Sequence, residues 1–157
     1  MIPGQKIQIP KTEGIKYAGS KLKLLPQIFT LASKTGAKTI LDGFAGTTRV
    51  SQLFAQTGYR VISNDAAVWS KTFANCYLKN TRPGSYYEEL IAHLNDLPGK
   101  EGWFTENYGG NPVTQSSVGD DGFKKPFQIH NTKKLDAIRE EIGNLSLPED
   151  EESVLLT

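Results

Sequence analysis

Apolar positions alternate between helical and strand-like spacing along the first half of the chain. Leu22, Leu25, Ile28, Phe29 and Ala32 fall on one side of a 3.6-residue repeat. Ser20 stands where an N-cap belongs, and Pro26 fits only near a first turn, so regular helix is expected from about Leu24. Gly36 is placed to close it. "TILD", Thr39–Asp42, is a short β-type run bounded by turn residues. Val50, Leu53 and Phe54 then mark the buried face of a helix that Gly58 ends. "YRVISN" reads as a second strand, with Asp65 just past its tip. Trp69, Phe73, Cys76 and Tyr77 return to helical spacing, and the stripe reads as core packing. The order strand, helix, strand, helix is the βαβ pattern of a parallel sheet covered by helices.

The second half is less regular. "TRPGSYYEELIAHLNDLPG" predicts a turn and a short helix with Leu90, Ile91, Leu94 and Leu97 inward and His93 a surface or packing residue. Residues 99–122 carry six glycines and few apolar periods, and a loop of that length in a compact domain is usually functional or mobile. "NTKKLDAIREEIGNL" predicts a helix capped by Asn131 or Thr132, faced by Leu135, Ile138 and Ile142, and stopped by Gly143. "PEDEESVLLT" has a helix start: Pro148 suits a first turn, and the acids after it face the positive end of the helix dipole. The pattern thus divides into an α/β core over residues 1–98 and a loop-rich and helical segment over 99–157. Only two parallel strands are legible, fewer than an open α/β sheet normally has. The rest of the sheet is expected beyond Thr157 or on another chain.

Composition changes this picture little. The chain has 157 residues, 38% hydrophobic and 22% charged, as in ordinary globular proteins. No run approaches the roughly 20 apolar residues of a membrane helix, and the N-terminus lacks the apolar core of a secretory signal. A single cysteine, Cys76, excludes an internal disulfide framework and fits a reducing cytoplasm. Cys76, His93 and His130 have no metal-ligand spacing, so no metal is expected. Charge is uneven. Residues 1–100 hold 13 basic against 6 acidic side chains, net +7, and residues 101–157 hold 5 against 11, net −6. The basic part could meet a polyanion, although scattered surface lysines would give the same count.

The chemistry concentrates in "LDGFAGTTRVSQLFAQTGYRVISND", residues 41–65. Open α/β sheets bind ligands at the carboxyl ends of their strands. Gly43 and Gly46 permit tight backbone there, and the N–H groups at the start of the next helix can meet a polar group. Asp65, 19 residues after Gly46, can accept hydrogen bonds from both hydroxyls of a ribose. The turn is neither the dinucleotide pattern G-x-G-x-x-G nor a P-loop, because Thr48 replaces a glycine and no G-K-[ST] follows. Asp42 facing the ligand would repel a pyrophosphate and attract a cation. S-adenosylmethionine, with a sulfonium, an α-amino group and no phosphate, fits this charge better than NAD. A plain strand–helix turn with incidental acids remains the alternative on this motif alone.

Four segments in order resemble the Dam-type (D12 class) adenine-specific DNA N6-methyltransferases: "KYAGSKLKLLPQI", "LDGFAGTTRVS", "SND" ending at Asp65, and "FQIHNTKKLDAIREEI". They span about two-thirds of the chain. The resemblance implies a Rossmann-like S-adenosylmethionine-dependent methyltransferase fold, here incomplete, with the N-terminal part of the sheet and its flanking helices. It implies methyl transfer to the N6 of adenine in double-stranded DNA, by attack of N6 on the sulfonium carbon after base flipping, as in restriction-modification. Carried over by position, Tyr17, Ala18 and Lys21 would lie beside the methionine end of the cofactor. Asp42, Phe44 and Gly46 would form its floor, and Asp65 would hold the ribose. Gly43 and Thr48 depart from the usual proline and glycine. The catalytic D/N-P-P-Y/F motif of the family occurs nowhere in residues 1–157, and Asn111-Pro112 is too short an imitation. The expectation is therefore the cofactor-binding part of such an enzyme, inactive alone. The alternative is a non-catalytic S-adenosylmethionine- or nucleotide-binding subunit, or a remnant of a split methyltransferase, with a second chain carrying the catalytic motif.

Overall fold

The computed structural model describes residues 9–16 and 18–157. They form two compact units. One comprises the described residues up to Thr81 with Glu149–Leu155 and Thr157, and the other comprises Arg82–Pro148 with Leu156.

The first unit is α/β. Helix α1 (Leu25–Ser33) is preceded by a 3₁₀ turn, Lys21–Leu24, whose first N–H groups are capped by Ser20: its Oγ accepts from Leu22 N at 3.4 Å. Pro26 sits in the first turn of α1, where its missing N–H has no intrahelical use. Strand β1 (Thr39–Asp42) pairs in parallel with β2 (Arg60–Ser63), Leu41 opposite Ile62 and Asp42 opposite Ser63. Helix α2 (Arg49–Gln56) makes the crossover. Successive strand residues point to opposite faces. Ile40, Asp42, Val61 and Ser63 turn inward, whereas Leu41 and Ile62 are exposed on the other face. The core is Leu25, Val50, Leu53 and Phe54, with Ile28, Phe29, Ile40, Tyr59 and Val61 packed around it. The expected βαβ order and the inward face of α2 are both present.

Helix α3 (Val68–Ala74) continues into a π-helical turn, Asn75–Lys79. Its aromatic stripe is not core, contrary to the sequence expectation. Trp69 is exposed, Phe73 and Tyr77 are half-buried, Trp69 meets Phe73 edge-on and Phe73 stacks on Tyr77, while Ser70 and Asn75 are the buried positions. Ser70 takes the inward face with its hydroxyl donating to Gly46 O, and the Asn75 side chain bonds the Glu149 carboxylate. The expected terminal helix is present as α7 (Glu149–Leu156), with Glu149 paired to Lys71 on α3.

The second unit is helical. Helix α4 (Glu88–Asp96), grouped on sequence with the first 98 residues, packs here: His93 pairs with Glu141 at 2.6 Å, and the Lys134 ammonium donates to the carbonyls of Asn95 and Leu97. Of its expected inward residues Leu94 is buried and Ile91 is exposed. The segment read as loop contains helix α5 (Trp103–Tyr108). Nothing local caps α5. Its cap is Asp136, on α6 (Ile129–Asn144), whose carboxylate accepts from Phe104 N at 2.9 Å, Thr105 N at 2.8 Å and the Thr105 hydroxyl at 2.7 Å. Helix α6 starts before Asn131 and runs through Gly143, and the chain turns at Ser146, φ 49°. No helix among the described residues is long and apolar enough to cross a membrane.

Asp136 carries a prediction. Burial raises its pKa, but the Thr105 hydroxyl and the N–H groups of Phe104, Thr105 and Gly102 outweigh it and hold the carboxyl below its ordinary value. Such a group stabilises the fold above its unfolded pKa and loses that contribution as pH falls through the lowered value. Asp136→Ala leaves two N–H groups without partners and is expected to cost about 2 kcal/mol. Amide exchange over residues 103–108 should accelerate at neutral pH. Wild-type protection there, relative to the intrinsic exchange rate at each pH, should fall only as pH drops below the ordinary carboxylate range, and unchanged protection in the variant would remove Asp136 from this role.

Candidate functional site

The carboxyl end of β1 runs into a tight turn, Gly43 to Thr48, before α2. Asn64, just past β2, ties the two strand ends together: its N–H donates to Asp42 O at 2.9 Å and its carbonyl accepts from Ala45 N at 3.0 Å. Gly46 has φ +50°, and a Cβ built on it would meet nothing within 4 Å. Glycine is needed there for the backbone angle, and the space beside it is open. Thr48 has φ +59°, is fully buried and stands at the N-cap of α2. The left-handed conformation explains why a glycine suits this position. Threonine holds it with its Oγ1 accepting from Gln52 Nε2 at 3.0 Å.

Asp65 spans the turn. Its Oδ2 accepts from Gly46 N at 2.8 Å and its Oδ1 from Ala67 N at 2.9 Å. The Ala67 N–H is the largest influence holding the carboxyl below its ordinary value. The Gly46 N–H follows, burial opposes both, and the Ala66 N–H and the Lys21 charge add to the lowering. The group is therefore a carboxylate at neutral pH. Each oxygen keeps a free lone pair after these bonds. Lys21 approaches from the other side, its Nζ donating to Phe44 O at 3.1 Å with two donors left over. Ser70 completes the frame by donating to Gly46 O at 2.8 Å. Both peptide groups flanking the turn glycine are thus held by side chains, Asp65 just past β2 and Ser70 on α3.

A cleft of about 280 Å³ opens over this turn, lined among others by Ser20, Lys21, Phe44, Gly46, Asp65 and Trp69. Asp65 also borders a second cavity of about 300 Å³ with Asn64, Ser70, Asn75 and Lys79. Of the residues singled out on sequence, Lys21, Phe44, Gly46 and Asp65 meet in the first cleft. The Phe44 ring is exposed, and its carbonyl makes the contact. Ala18 lies in an exposed turn outside the lining, and Tyr17 lies outside the described residues. Asp42 does not line the cleft. It is buried behind the turn, where its Oδ2 accepts from Ser51 Oγ at 2.8 Å. Inward-facing β1 residues point toward α2, which places the Asp42 side chain behind the turn and away from the cleft. Ser70, Trp69 and Arg49 were not singled out as site residues. The helical period places Trp69 with the core stripe, and no local pattern marks a serine as a ligand for a carbonyl 24 residues away. Among the described residues no cluster of His, Cys, Asp and Glu could hold a metal ion.

The arrangement offers a carboxylate with spare acceptor sites, an ammonium with spare donors, and an open backbone floor. That set can hold a molecule bearing a hydroxyl pair and an anionic or polar end. The chain matches the model of the family described as D12 class N6 adenine-specific DNA methyltransferase over residues 17–148. It is 31% identical over 133 residues to the Type II methyltransferase M.NlaIII of Neisseria lactamica, covering 82% of this chain and 37% of that protein. It is 33% identical over 138 residues to the Modification methylase StsI of Streptococcus sanguinis, covering 82% of this chain and 20% of that protein. The chain therefore spans well under half the length of these relatives. No solved structure matches it.

Proposed function

The chain belongs to the D12 class N6 adenine-specific DNA methyltransferase family, and we propose that it forms the S-adenosylmethionine-binding part of an enzyme that methylates adenine N6 in double-stranded DNA. The observation that carries this reading is the convergence of Lys21, Gly46 and Asp65 on one cleft at the carboxyl ends of two parallel strands. A Rossmann-like sheet continued by further strands is the fold this reading expects, and the cytoplasm its place of action.

The residues fit the cofactor by their chemistry. Asp65 would accept from the ribose hydroxyls with the lone pairs that Gly46 and Ala67 leave free. Lys21 would hold the carboxylate of the methionine end with its spare donors. The open face of Gly46 would let the cofactor backbone lie close. When bound, S-adenosylmethionine supplies a methyl group made electrophilic by its sulfonium. Orientation of that methyl toward a flipped base is the work of the turn. The acceptor side needs the D/N-P-P-Y/F motif, which residues 1–157 do not contain. A second chain or further sequence would supply it.

Calorimetric titration of the purified chain tests this directly. Saturable uptake of S-adenosylmethionine, with NAD and ATP binding at least tenfold more weakly, is expected. Equal or tighter binding of NAD or ATP would favour a general nucleotide-binding subunit. A methylation assay on adenine-containing duplex DNA should show no turnover by this chain alone, and clear activity would refute the division of labour.

A further inference from the structure

Residues 9–16 belong to no helix or strand, yet their middle is fastened firmly to α2. Gln52, 2% exposed, forms a two-way clamp on the backbone of Glu13: its Oε1 accepts from Glu13 N at 2.8 Å and its Nε2 donates to Glu13 O at 2.9 Å. The same Nε2 donates to Thr48 Oγ1 at 3.0 Å. Arg49, one turn earlier on α2, donates to the carbonyls of Thr12 and Gly14, the latter at 2.7 Å. Thr12 is buried beneath it. Two side chains of α2 thus hold three consecutive residues through their main chain, which fixes position whatever side chains those residues carry.

Neither Thr48 nor the Thr12–Gly14 segment lines the cleft, but each is joined along the chain to residues that do, and Arg49 lines it directly. Thr48, on one end of the clamp, closes the glycine turn. On the other, the chain leads from Gly14 through Gly19 and Ser20 to Lys21, which lines the same cleft and donates to Phe44 O of the turn. We infer that Gln52, with Arg49, is a positioning residue of the cofactor cleft: it sets the distance between the glycine turn and the Lys21 wall by fixing the Thr12–Gly14 strap to both. Neither Gln52 amide atom reaches the cleft, so its effect passes through Thr48 and the strap. This assignment rests on the cofactor reading above.

Gly14 gives an independent handle. Its φ is +142°, and a Cβ there would meet Arg49 Nε at 3.2 Å. Gly14→Ala therefore strains the strap and displaces Arg49 without touching the core. Amide exchange and calorimetry on the whole chain test the assignment. In wild type, saturating S-adenosylmethionine should slow exchange at residues 12–21, because coupling between strap and cleft is reciprocal. Gln52→Met and Gly14→Ala should each speed exchange there and weaken S-adenosylmethionine about tenfold, as expected when a preorganised wall must be ordered on binding. Gln52→Glu, which keeps the acceptor for Glu13 N–H, should recover part of the loss. If Gln52→Met fails to fold, Gly14→Ala carries the same expectation. Faster exchange with affinity within twofold of wild type would overturn the positioning role alone, and so would a strap whose exchange S-adenosylmethionine leaves unchanged. Absence of any uptake by wild type would overturn the cofactor reading and this assignment with it.

Discussion

Asp65→Ala is expected to weaken S-adenosylmethionine binding on the order of 100-fold, through two losses that add. The first is direct: the ribose hydroxyls lose a charged acceptor. The second is structural: Gly46 N and Ala67 N lose theirs, so the turn that forms the floor loosens with the wall. Asp65→Asn separates the two poorly by design. Whichever way its amide faces, an NH₂ replaces one oxygen and meets a backbone N–H donor at Gly46 or at Ala67. Asparagine should therefore resemble alanine more than aspartate. The carboxylate is held below its ordinary pKa, so this contribution is present through the neutral range and is lost only as pH falls below about 4. Wild-type affinity should be flat from pH 8 to pH 5 so far as Asp65 is concerned. Calorimetry at pH 7 decides the matter, with circular dichroism showing that the variant is folded. A folded Asp65→Ala chain that binds within threefold of wild type would remove Asp65 from the site.

That Asp65 could be picked out from the chain alone reflects how local its signals are. The strand-like run "YRVISN" ends immediately before it, and a glycine turn lies one crossover earlier. The inward face of α2 was legible for the same reason: Val50, Leu53 and Phe54 repeat with the helix, and burial follows the repeat. The features that escaped depend on partners remote in sequence. Helix α5 has no cap of its own and exists with Asp136, 32 positions from Phe104. Asp42 is at the right position of its motif, but strand alternation turns its side chain toward Ser51 and away from the cleft. The aromatic stripe of α3 has the period of a core face, yet Ser70 and Asn75 hold the inward side because polar partners wait there. Gln52 offered no pattern at all, since its partners are the main-chain atoms of a segment without regular structure. Periodicity reports which face is apolar. It does not report which polar group has found a partner across the fold.

Phe54→Ala is expected to be the most damaging single substitution for stability. The ring is 1% exposed, packs edge-on to Tyr59 with centroids 5.0 Å apart and lies tilted against Phe29 at 6.0 Å. It is the largest fully buried side chain of the described residues and bridges α1 to the start of β2. Truncation removes its transfer energy, leaves a cavity and breaks both ring pairs, costing about 3–5 kcal/mol. Small domains have only about 5–15 kcal/mol in total, so a large part of the margin goes. At roughly 4–8 °C per kcal/mol, the melting midpoint should fall by about 12 °C or more. Phe54→Leu, which keeps much of the volume, should fall by less than half as much. The consequence reaches the cleft because Phe54 anchors the helix whose first turn carries Thr48, Arg49 and Gln52. When α2 loses its seat, the glycine turn and the strap lose their common support, so S-adenosylmethionine uptake should disappear over the same temperature range as the helical signal. A midpoint within 5 °C of wild type would show that the α1–α2 packing does not hold this unit together. Uptake that persisted after α2 had melted would show that the turn is organised without it.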